Sequence, residues 1–257
     1  MFTSEERERT RAELVRAAEQ DRRITGAAHL GSFAADRLDA WSDIDLALCI
    51  SPGAELNDVV SDWNRRLYEN HDAIAHCDVR RGDTLYRVFL LANTLQVDVS
   101  FWPAREFRAT SPKFKLIFGA PSQAQRGTGA NASELIGMAW LHGLHVRSSI
   151  ARGRFLQAEY MLGTMRNQVL ALACLRNGLP TSDGRGFDDL AESYKAEIAQ
   201  CYLLPINAGE LSRAFSRITA ALLAEITAAD PQLAQKIAPT LTKIVESAAA
   251  ASKRAGG

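Results

Sequence analysis

The sequence predicts a mixed α/β fold in its first half and an all-α helical bundle in its second half. Short alternating or apolar segments, which are typical of strands, occur only up to about residue 103. Beyond residue 131 the apolar residues recur with helical spacing, and strand patterns almost vanish. The stretch between these regions, residues 119–131, is rich in Gly, Ser, Ala and Gln, which is typical of a linker. We therefore predict two domains, residues 1–120 and residues 131–252.

The first domain is expected to contain five strands and three helices. The helices cover residues 3–23 and 55–70, together with a short helix after Gly31 that Ser32 can cap. The strands cover residues 24–30, 43–50, 73–79, 85–92 and 95–102. Asn93 and Thr94 leave only a tight link between the last two strands, which predicts an antiparallel hairpin. These elements predict a mixed five-stranded sheet.

Five segments of the second domain fit a helical period. They cover residues 133–151, 154–177, 187–202, 209–229 and 231–251. Gly178, Pro180 and Pro231 lie where these helices end or begin. Short connections between helices of this length predict a bundle.

The charge balance and the cysteine pattern exclude several classes of protein. The 257 residues include 30 Lys plus Arg and 30 Asp plus Glu, so the formal net charge at pH 7 is zero. Proteins that bind free nucleic acid usually carry a basic excess, and we therefore expect no stable nucleic-acid partner. The four cysteines are scattered without a C-x-x-C pair, which argues against a zinc site and suits a reducing cytoplasm.

Hydropathy favours a protein without a membrane partner. No segment reaches the roughly 18 consecutive apolar residues that a membrane span requires. The charged N-terminal segment also lacks the apolar core of a signal peptide. We therefore expect a cytoplasmic protein, either a monomer or a homodimer.

Three aspartates lie within segments that should be strands. If residues 43–50 form a strand, Asp43 and Asp45 share one face, and the apolar residues that alternate with them occupy the other. Asp98 lies between two valines of a second alternating segment. Neighbouring carboxylates repel and raise each other's pKa unless a cation lies between them. If the two strands are adjacent, the three acids form a cluster that can hold two Mg²⁺ ions, which suits displacement at phosphorus.

The Gly31-Ser32 pair precedes Asp43 by ten intervening residues. Glycine allows the backbone to approach a ligand closely, and a serine at the start of a short helix presents groups that favour anions. We expect a phosphate held at this turn to lie near a metal held by Asp43 and Asp45.

The order Leu30-Gly31-Ser32, a spacer, Asp43-Ile44-Asp45-Leu46, and then Asp98 on a later strand resembles the signature of the DNA polymerase β-like nucleotidyltransferase superfamily. The resemblance implies a minimal nucleotidyltransferase domain that uses two Mg²⁺ ions and ATP or another nucleoside triphosphate as co-substrate. It assigns metal binding to the three aspartates and phosphate binding to Gly31 and Ser32.

The second domain is similar to that of bacterial antibiotic nucleotidyltransferases, which adenylylate a hydroxyl of an aminoglycoside or lincosamide. The similar segments are residues 153–159, 165–167 and 175–180, which lie along one long predicted helix and its end. The resemblance implies that this helix helps to bind the triphosphate or the acceptor, and it implies a role in antibiotic resistance.

Four further residues are candidates for the site. Glu159 and Arg166 lie seven residues apart and therefore on one helix face, where Glu159 serves as an acceptor-binding carboxylate or general base and Arg166 as a phosphate ligand. An exposed polar stripe explains Glu159 equally well. Ser42 and Arg37 flank the aspartates and can contact phosphates, although Arg37 also fits a solvated helix position.

The leading hypothesis is an enzyme that transfers AMP from ATP to a hydroxyl of a small molecule. A second hypothesis keeps the chemistry but takes a hydroxyl of a protein or tRNA as the acceptor. A third is a nucleotide-binding or antitoxin-like protein that acts through a partner without catalysis. Three acids and a fused helical bundle favour the enzyme over the third hypothesis.

Overall fold

The computed structural model describes residues 1–109, 113–123, 130–203 and 205–255. The chain divides into two compact units, Met1–Gly127 and Thr128–Gly257, which we call the N-terminal unit and the C-terminal unit. Part of the expected linker lies outside the described residues. The assignment of separate functions to the two halves stays a prediction.

The described part of the N-terminal unit contains three helices and one six-stranded mixed sheet. The helices are α1 (Ser4–Gln20), α2 (Gly31–Ala34) and α3 (Leu56–Asn70), and the strands are β1 (Ile24–Leu30), β2 (Ile44–Ile50), β3 (Ala73–Arg81), β4 (Thr84–Leu91), β5 (Gln96–Pro103) and β6 (Phe114–Phe118). The strand order is β3-β4-β5-β2-β1-β6. β2 and β5 run parallel, and the other neighbouring pairs are antiparallel. The mixed α/β class and the β4–β5 hairpin are therefore confirmed.

Alternation along β2 and β5 separates an apolar face of the sheet from the face that carries the acids. Residues of the two strands join a core with residues of α1 and α3. The strand members of this core are Ile44, Leu46, Leu48 and Ile50 of β2 and Val97, Val99 and Phe101 of β5. Asp45 and Asp98 lie at the alternate positions of the same strands. Burial of one face therefore fixes the direction in which the acids point.

Two details of the N-terminal unit differ from the sequence prediction. The sheet has six strands instead of five, because β6 pairs antiparallel with β1. Strand β6 has only five residues, and its sequence pattern alone does not predict a strand. Its hydrogen-bonded pairing with β1 defines it. The expected cap at Ser32 was wrong: α2 begins at Gly31 and Leu30 is its N-cap residue, so Ser32 lies inside the first turn.

The described part of the C-terminal unit is helical, as predicted. Its helices are α4 (Ala132–Ala151), α5 (Phe155–Arg176), α6 (Glu192–Ala199), α7 (Ala208–Ala229) and α8 (Pro231–Ala255). Helix α6 is shorter than the expected segment 187–202, because turns occupy the residues before it. Within this unit the buried carboxylate of Glu225 accepts two hydrogen bonds from Arg176, at 3.0 and 2.9 Å, and so joins α7 to α5. Among the described helices, none has both the length and the apolar character needed to cross a membrane.

The central strands predict a contrast between two leucine substitutions in the same sheet. Leu48 of β2 is fully buried, whereas 45% of Leu90 in β4 is exposed. We expect Leu48→Ala to lower the free energy of unfolding by about 2–5 kcal/mol and Leu90→Ala by less than about 1 kcal/mol. Urea titrations followed by tryptophan fluorescence check this, since three of the four tryptophans lie in the N-terminal unit. Equal losses from the two substitutions would contradict the assigned core.

Candidate active site

The structure brings Asp43, Asp45 and Asp98 together. Asp45 of β2 is paired with Asp98 of β5 in the parallel register, and Asp43 lies just before β2. One carboxylate oxygen from each residue can be chosen so that all three lie within 4.8 Å of one another, and all three side chains are half-buried. The predicted adjacency of the two strands is therefore observed, and it produces the cluster of three acids.

Gly31 lies directly against this cluster. Its backbone has a φ of +61°, and a Cβ atom placed there would lie 1.9 Å from Oδ2 of Asp45. A side chain at position 31 therefore cannot coexist with the present position of the Asp45 carboxylate. Two physical features therefore require glycine at position 31: its left-handed backbone and the close approach of the Asp45 carboxylate.

Gln96 connects two of the acids. Its Nε2 donates to Oδ1 of Asp98 at 3.0 Å and to Oδ2 of Asp43 at 3.4 Å. Burial raises the pKa of Asp98 to about 6, the hydrogen bond from Gln96 opposes this shift, and the charge of Asp43 adds to it. Gln96 is not among the predicted site residues, although it lies two residues before Asp98 and therefore on the same strand face.

A hydrogen-bonded loop holds the residues that lead into Asp43. The carboxylate of Asp39 accepts from the backbone N–H of Trp41 at 2.9 Å and from the hydroxyl of Ser42 at 2.8 Å. That hydroxyl also accepts from the backbone N–H of Asp39 at 2.9 Å. The buried guanidinium of Arg7 donates to the carbonyl oxygens of Asp39 and Ser42. The loop is therefore fixed on both sides, while 76% of the Trp41 side chain remains exposed.

The remaining predicted residues of the N-terminal unit lie around the same turn. Ser32 follows Gly31 in α2, and its hydroxyl oxygen is buried without a hydrogen-bond partner among the described residues. Arg37 is exposed, and its backbone N–H donates to the carbonyl oxygen of Ser32 at 3.0 Å. Ser42 is buried, and its hydroxyl bonds to Asp39 as described above. Phosphate binding by these residues stays a prediction.

Glu159 and Arg166 belong to α5 in the C-terminal unit. A Cβ atom placed on Gly163 would lie 3.4 Å from Nη2 of Arg166 and 3.9 Å from Oε1 of Glu159, so the two side chains flank the same glycine. The Arg166 guanidinium is buried 3.8 Å from the ring centroid of Tyr202, and it donates to the carbonyl oxygen of Cys201 at 3.4 Å. Their predicted roles in acceptor and phosphate binding stay predictions.

The residues present fit a magnesium site. The cluster offers only carboxylate oxygens, which are the ligands that Mg²⁺ prefers, and Gly31 leaves room for the Asp45 carboxylate. A cation bound by the three acids relieves both the repulsion between them and the burial of Asp98. Asp43, Asp45 and Asp98 are therefore the residues that can hold the ions.

Comparisons with known proteins gave similar solved structures only. No family model matches the chain, and no curated protein matches it. An aminoglycoside 6-adenyltransferase from Bacillus subtilis is 13% identical with a TM-score of 0.40, and the alignment covers 93% of this chain and 98% of that one. The Cid1 poly(U) polymerase is 11% identical with a TM-score of 0.32, covering 81% of this chain and 53% of that one.

A third similar structure is the CdnE cyclic dinucleotide synthase from Elizabethkingia meningoseptica. It is 9% identical with a TM-score of 0.26, and the alignment covers 85% of this chain and 78% of that one. The solved structures similar to this chain thus include an adenyltransferase, a polymerase and a cyclic dinucleotide synthase.

The contact between Gly31 and Asp45 predicts the effect of adding one methyl group. We expect Gly31→Ala to displace the Asp45 carboxylate and to weaken Mg²⁺ binding at least tenfold, a change of about 1.4 kcal/mol or more. Gly82→Ala is the matched control, because Gly82 also has a positive φ, of +60°, but its Cβ atom would meet only ordinary contacts at 3.7 Å. The left-handed backbone should cost both variants about 1–2 kcal/mol of stability, whereas only Gly31→Ala should also lose metal affinity in calorimetric titrations. Unchanged affinity in Gly31→Ala would contradict the assigned contact.

The raised pKa of Asp98 predicts that a neutral side chain at this position stabilises the metal-free protein. The folded-state pKa of about 6 exceeds the unfolded value near 4, so ionisation of Asp98 opposes folding, and stability is lost as the pH rises from about 4 to 6. In EDTA at pH 7.5 we expect Asp98→Asn to raise the free energy of unfolding by about 2–3 kcal/mol.

The gain from Asp98→Asn should vanish below about pH 4, where the carboxyl group is protonated in both states. Asp188→Asn changes an exposed aspartate and serves as the control, with no gain expected at either pH. Denaturant titrations at the two pH values measure both variants, and a gain that does not depend on pH would contradict the electrostatic explanation.

Proposed function

We propose that the chain is a nucleotidyltransferase that transfers a nucleoside monophosphate, AMP from ATP, to a hydroxyl of a small molecule. The observation that carries the proposal is the cluster of Asp43, Asp45 and Asp98 on adjacent parallel strands, with the Gly31 turn packed against one of its carboxylates. Three convergent carboxylates beside a glycine turn supply a place for a metal-bound triphosphate.

Different residues of the N-terminal unit bind the metal ions and the phosphates of the nucleotide. Asp43 and Asp45 would hold both magnesium ions, and Asp98 would hold the catalytic one. When bound, the two ions neutralise the charge of the phosphates and of the leaving pyrophosphate. Gly31 and Ser32 hold the β- and γ-phosphates. Ser42 and Arg37 lie at the edges of this phosphate site.

Asp98 is also the candidate proton acceptor. A carboxylate oxygen of Asp98 that lies beside the attacking hydroxyl would accept its proton as the new bond to phosphorus forms. The hydroxyl oxygen then forms a bond to the α-phosphorus, the bond from this phosphorus to the pyrophosphate breaks, and the proton moves to an oxygen of Asp98.

We assign binding of the acceptor to the helical domain, residues 131–252. In this assignment Glu159 binds the acceptor or serves as an additional base, and Arg166 supports the phosphates. The similarity to an aminoglycoside 6-adenyltransferase makes aminoglycosides, and with them lincosamides, the first acceptors to test. Four free cysteines agree with the proposed cytoplasmic location.

A transfer assay tests the proposal. The protein is incubated with Mg²⁺, each of the four ribonucleoside triphosphates and a panel of aminoglycosides and lincosamides, and mass spectrometry identifies the products. We expect pyrophosphate and a nucleotidylated acceptor, and we expect Asp45→Asn to lower the rate roughly 1,000-fold or more, about 4 kcal/mol. Asp58→Asn, which alters an exposed acid of α3, should leave the rate unchanged.

The same assay separates the other functions. Labelled nucleotide that appears on protein or tRNA from a cell lysate moves the acceptor from a small molecule to a macromolecule. Absence of turnover with every triphosphate, together with a stoichiometric partner after purification, contradicts the enzyme and supports a binding protein.

A further inference from the structure

Three polar side chains surround the ring of Phe33, the residue that follows Gly31 and Ser32. The guanidinium carbon of Arg11, from α1, lies 4.2 Å from the ring centroid, and the centroid of the His29 ring also lies at 4.2 Å. The ammonium of Lys115, from β6, lies 5.3 Å from the same ring. We call Arg11, His29, Phe33 and Lys115 the Phe33 cluster.

Several polar atoms in the Phe33 cluster and in the adjoining Ser32 are buried without a hydrogen-bond partner in the described part of the chain. The Arg11 side chain is only 5% exposed, and its Nη1 donates to the carboxylate of Glu8 one turn earlier in α1. Its Nε and Nη2, the Nδ1 of His29 and the hydroxyl of Ser32 are buried without a hydrogen-bond partner among the described residues. The buried charge of Arg11 is therefore compensated only in part, by the carboxylate of Glu8 and by the face of the Phe33 ring.

The charge of the cluster is positive at neutral pH. Burial, reinforced by the charges of Arg11 and Lys115, lowers the pKa of His29 to about 4, so the imidazole is neutral. Lys115 lies 3.5 Å from the exposed carboxylate of Asp36, where solvent screens the interaction. Glu8 is half-exposed as well, so it offsets the buried charge of Arg11 only in part.

Arg11 is also close enough to the acid cluster for their charges to interact. Burial lowers the pKa of Arg11, and the charges of Glu8 and Asp43 oppose that shift. A cation in this position favours an anion on the Gly31-Ser32 turn and at the same time reduces the repulsion between that anion and Asp43.

We propose that Arg11 is a positioning residue for the polyphosphate group of the ligand, acting through Phe33 and the Gly31-Ser32 turn. The inference rests on the proposed function, which places a triphosphate at this turn. Since Nε and Nη2 of Arg11 are covered by protein, the guanidinium supplies a fixed positive field beside the turn instead of a direct contact. Glu8 competes with the ligand for that charge.

Binding measurements on matched variants test this inference. Calorimetry in the presence of Mg²⁺ compares ATP and inorganic tripolyphosphate, and NMR follows the weak binding of adenosine. We expect Arg11→Met to weaken ATP and tripolyphosphate binding about tenfold or more without changing adenosine binding, and Arg11→Lys to restore part of the loss. Arg16→Met removes an exposed arginine of the same helix and should change none of the three affinities. Glu8→Gln should tighten tripolyphosphate binding severalfold.

The outcomes distinguish this inference from the proposed function. A wild-type protein that binds neither ATP nor tripolyphosphate contradicts both. A wild-type protein that binds both, with equal tripolyphosphate affinity in Arg11→Met, contradicts the role of Arg11 alone. Equal losses of adenosine and tripolyphosphate binding in Arg11→Met, with no rescue by lysine, assign Arg11 a purely structural role and also overturn the inference.

Discussion

The parallel pairing of β2 with β5 is the constraint on which the rest of the candidate site depends. It sets Asp45 beside Asp98 across neighbouring strands, which lie about 4.8 Å apart. Apolar side chains at the alternate positions bury the opposite face, so a slip of one residue in either strand would exchange core residues for acids. The packing of the N-terminal unit therefore holds three carboxylates close together despite their mutual repulsion. The raised pKa of Asp98 reflects the free energy that burial and the neighbouring charge of Asp43 cost the ionised carboxylate.

Elements outside these two strands complete the arrangement. The Gly31 turn leaves space for the Asp45 carboxylate, and Gln96 bonds to the two other acids. Helix α1 contributes Arg7 and Arg11, which lie one helical turn apart and therefore on one face. Arg7 fixes the loop that leads into Asp43, and Arg11 packs on Phe33 beside the Gly31 turn. Helix α1 thus supports both the loop that precedes Asp43 and the turn at Gly31.

Local patterns were sufficient to predict much of the fold and the acids of the site. Alternation within residues 43–50 and 95–102 identified the strands and the faces of Asp45 and Asp98, because side-chain direction in a strand is a local property. The part played by α1 could not be predicted in this way, since Arg7 and Arg11 contact residues more than twenty positions away. The short strand β6 was missed for a similar reason, because its pairing with β1 defines it. The start of α2 was missed because the helix begins at Gly31, whose backbone is left-handed.

Direct observation of metal at the acid cluster is the strongest test of this account. Crystals grown with Mn²⁺ and a non-hydrolysable ATP analogue should show anomalous peaks bound by oxygens of Asp43, Asp45 and Asp98, with the phosphates over Gly31 and Ser32. Anomalous density elsewhere, or a bound analogue whose phosphates avoid this turn and whose metal does not contact Asp98, would contradict the central claim.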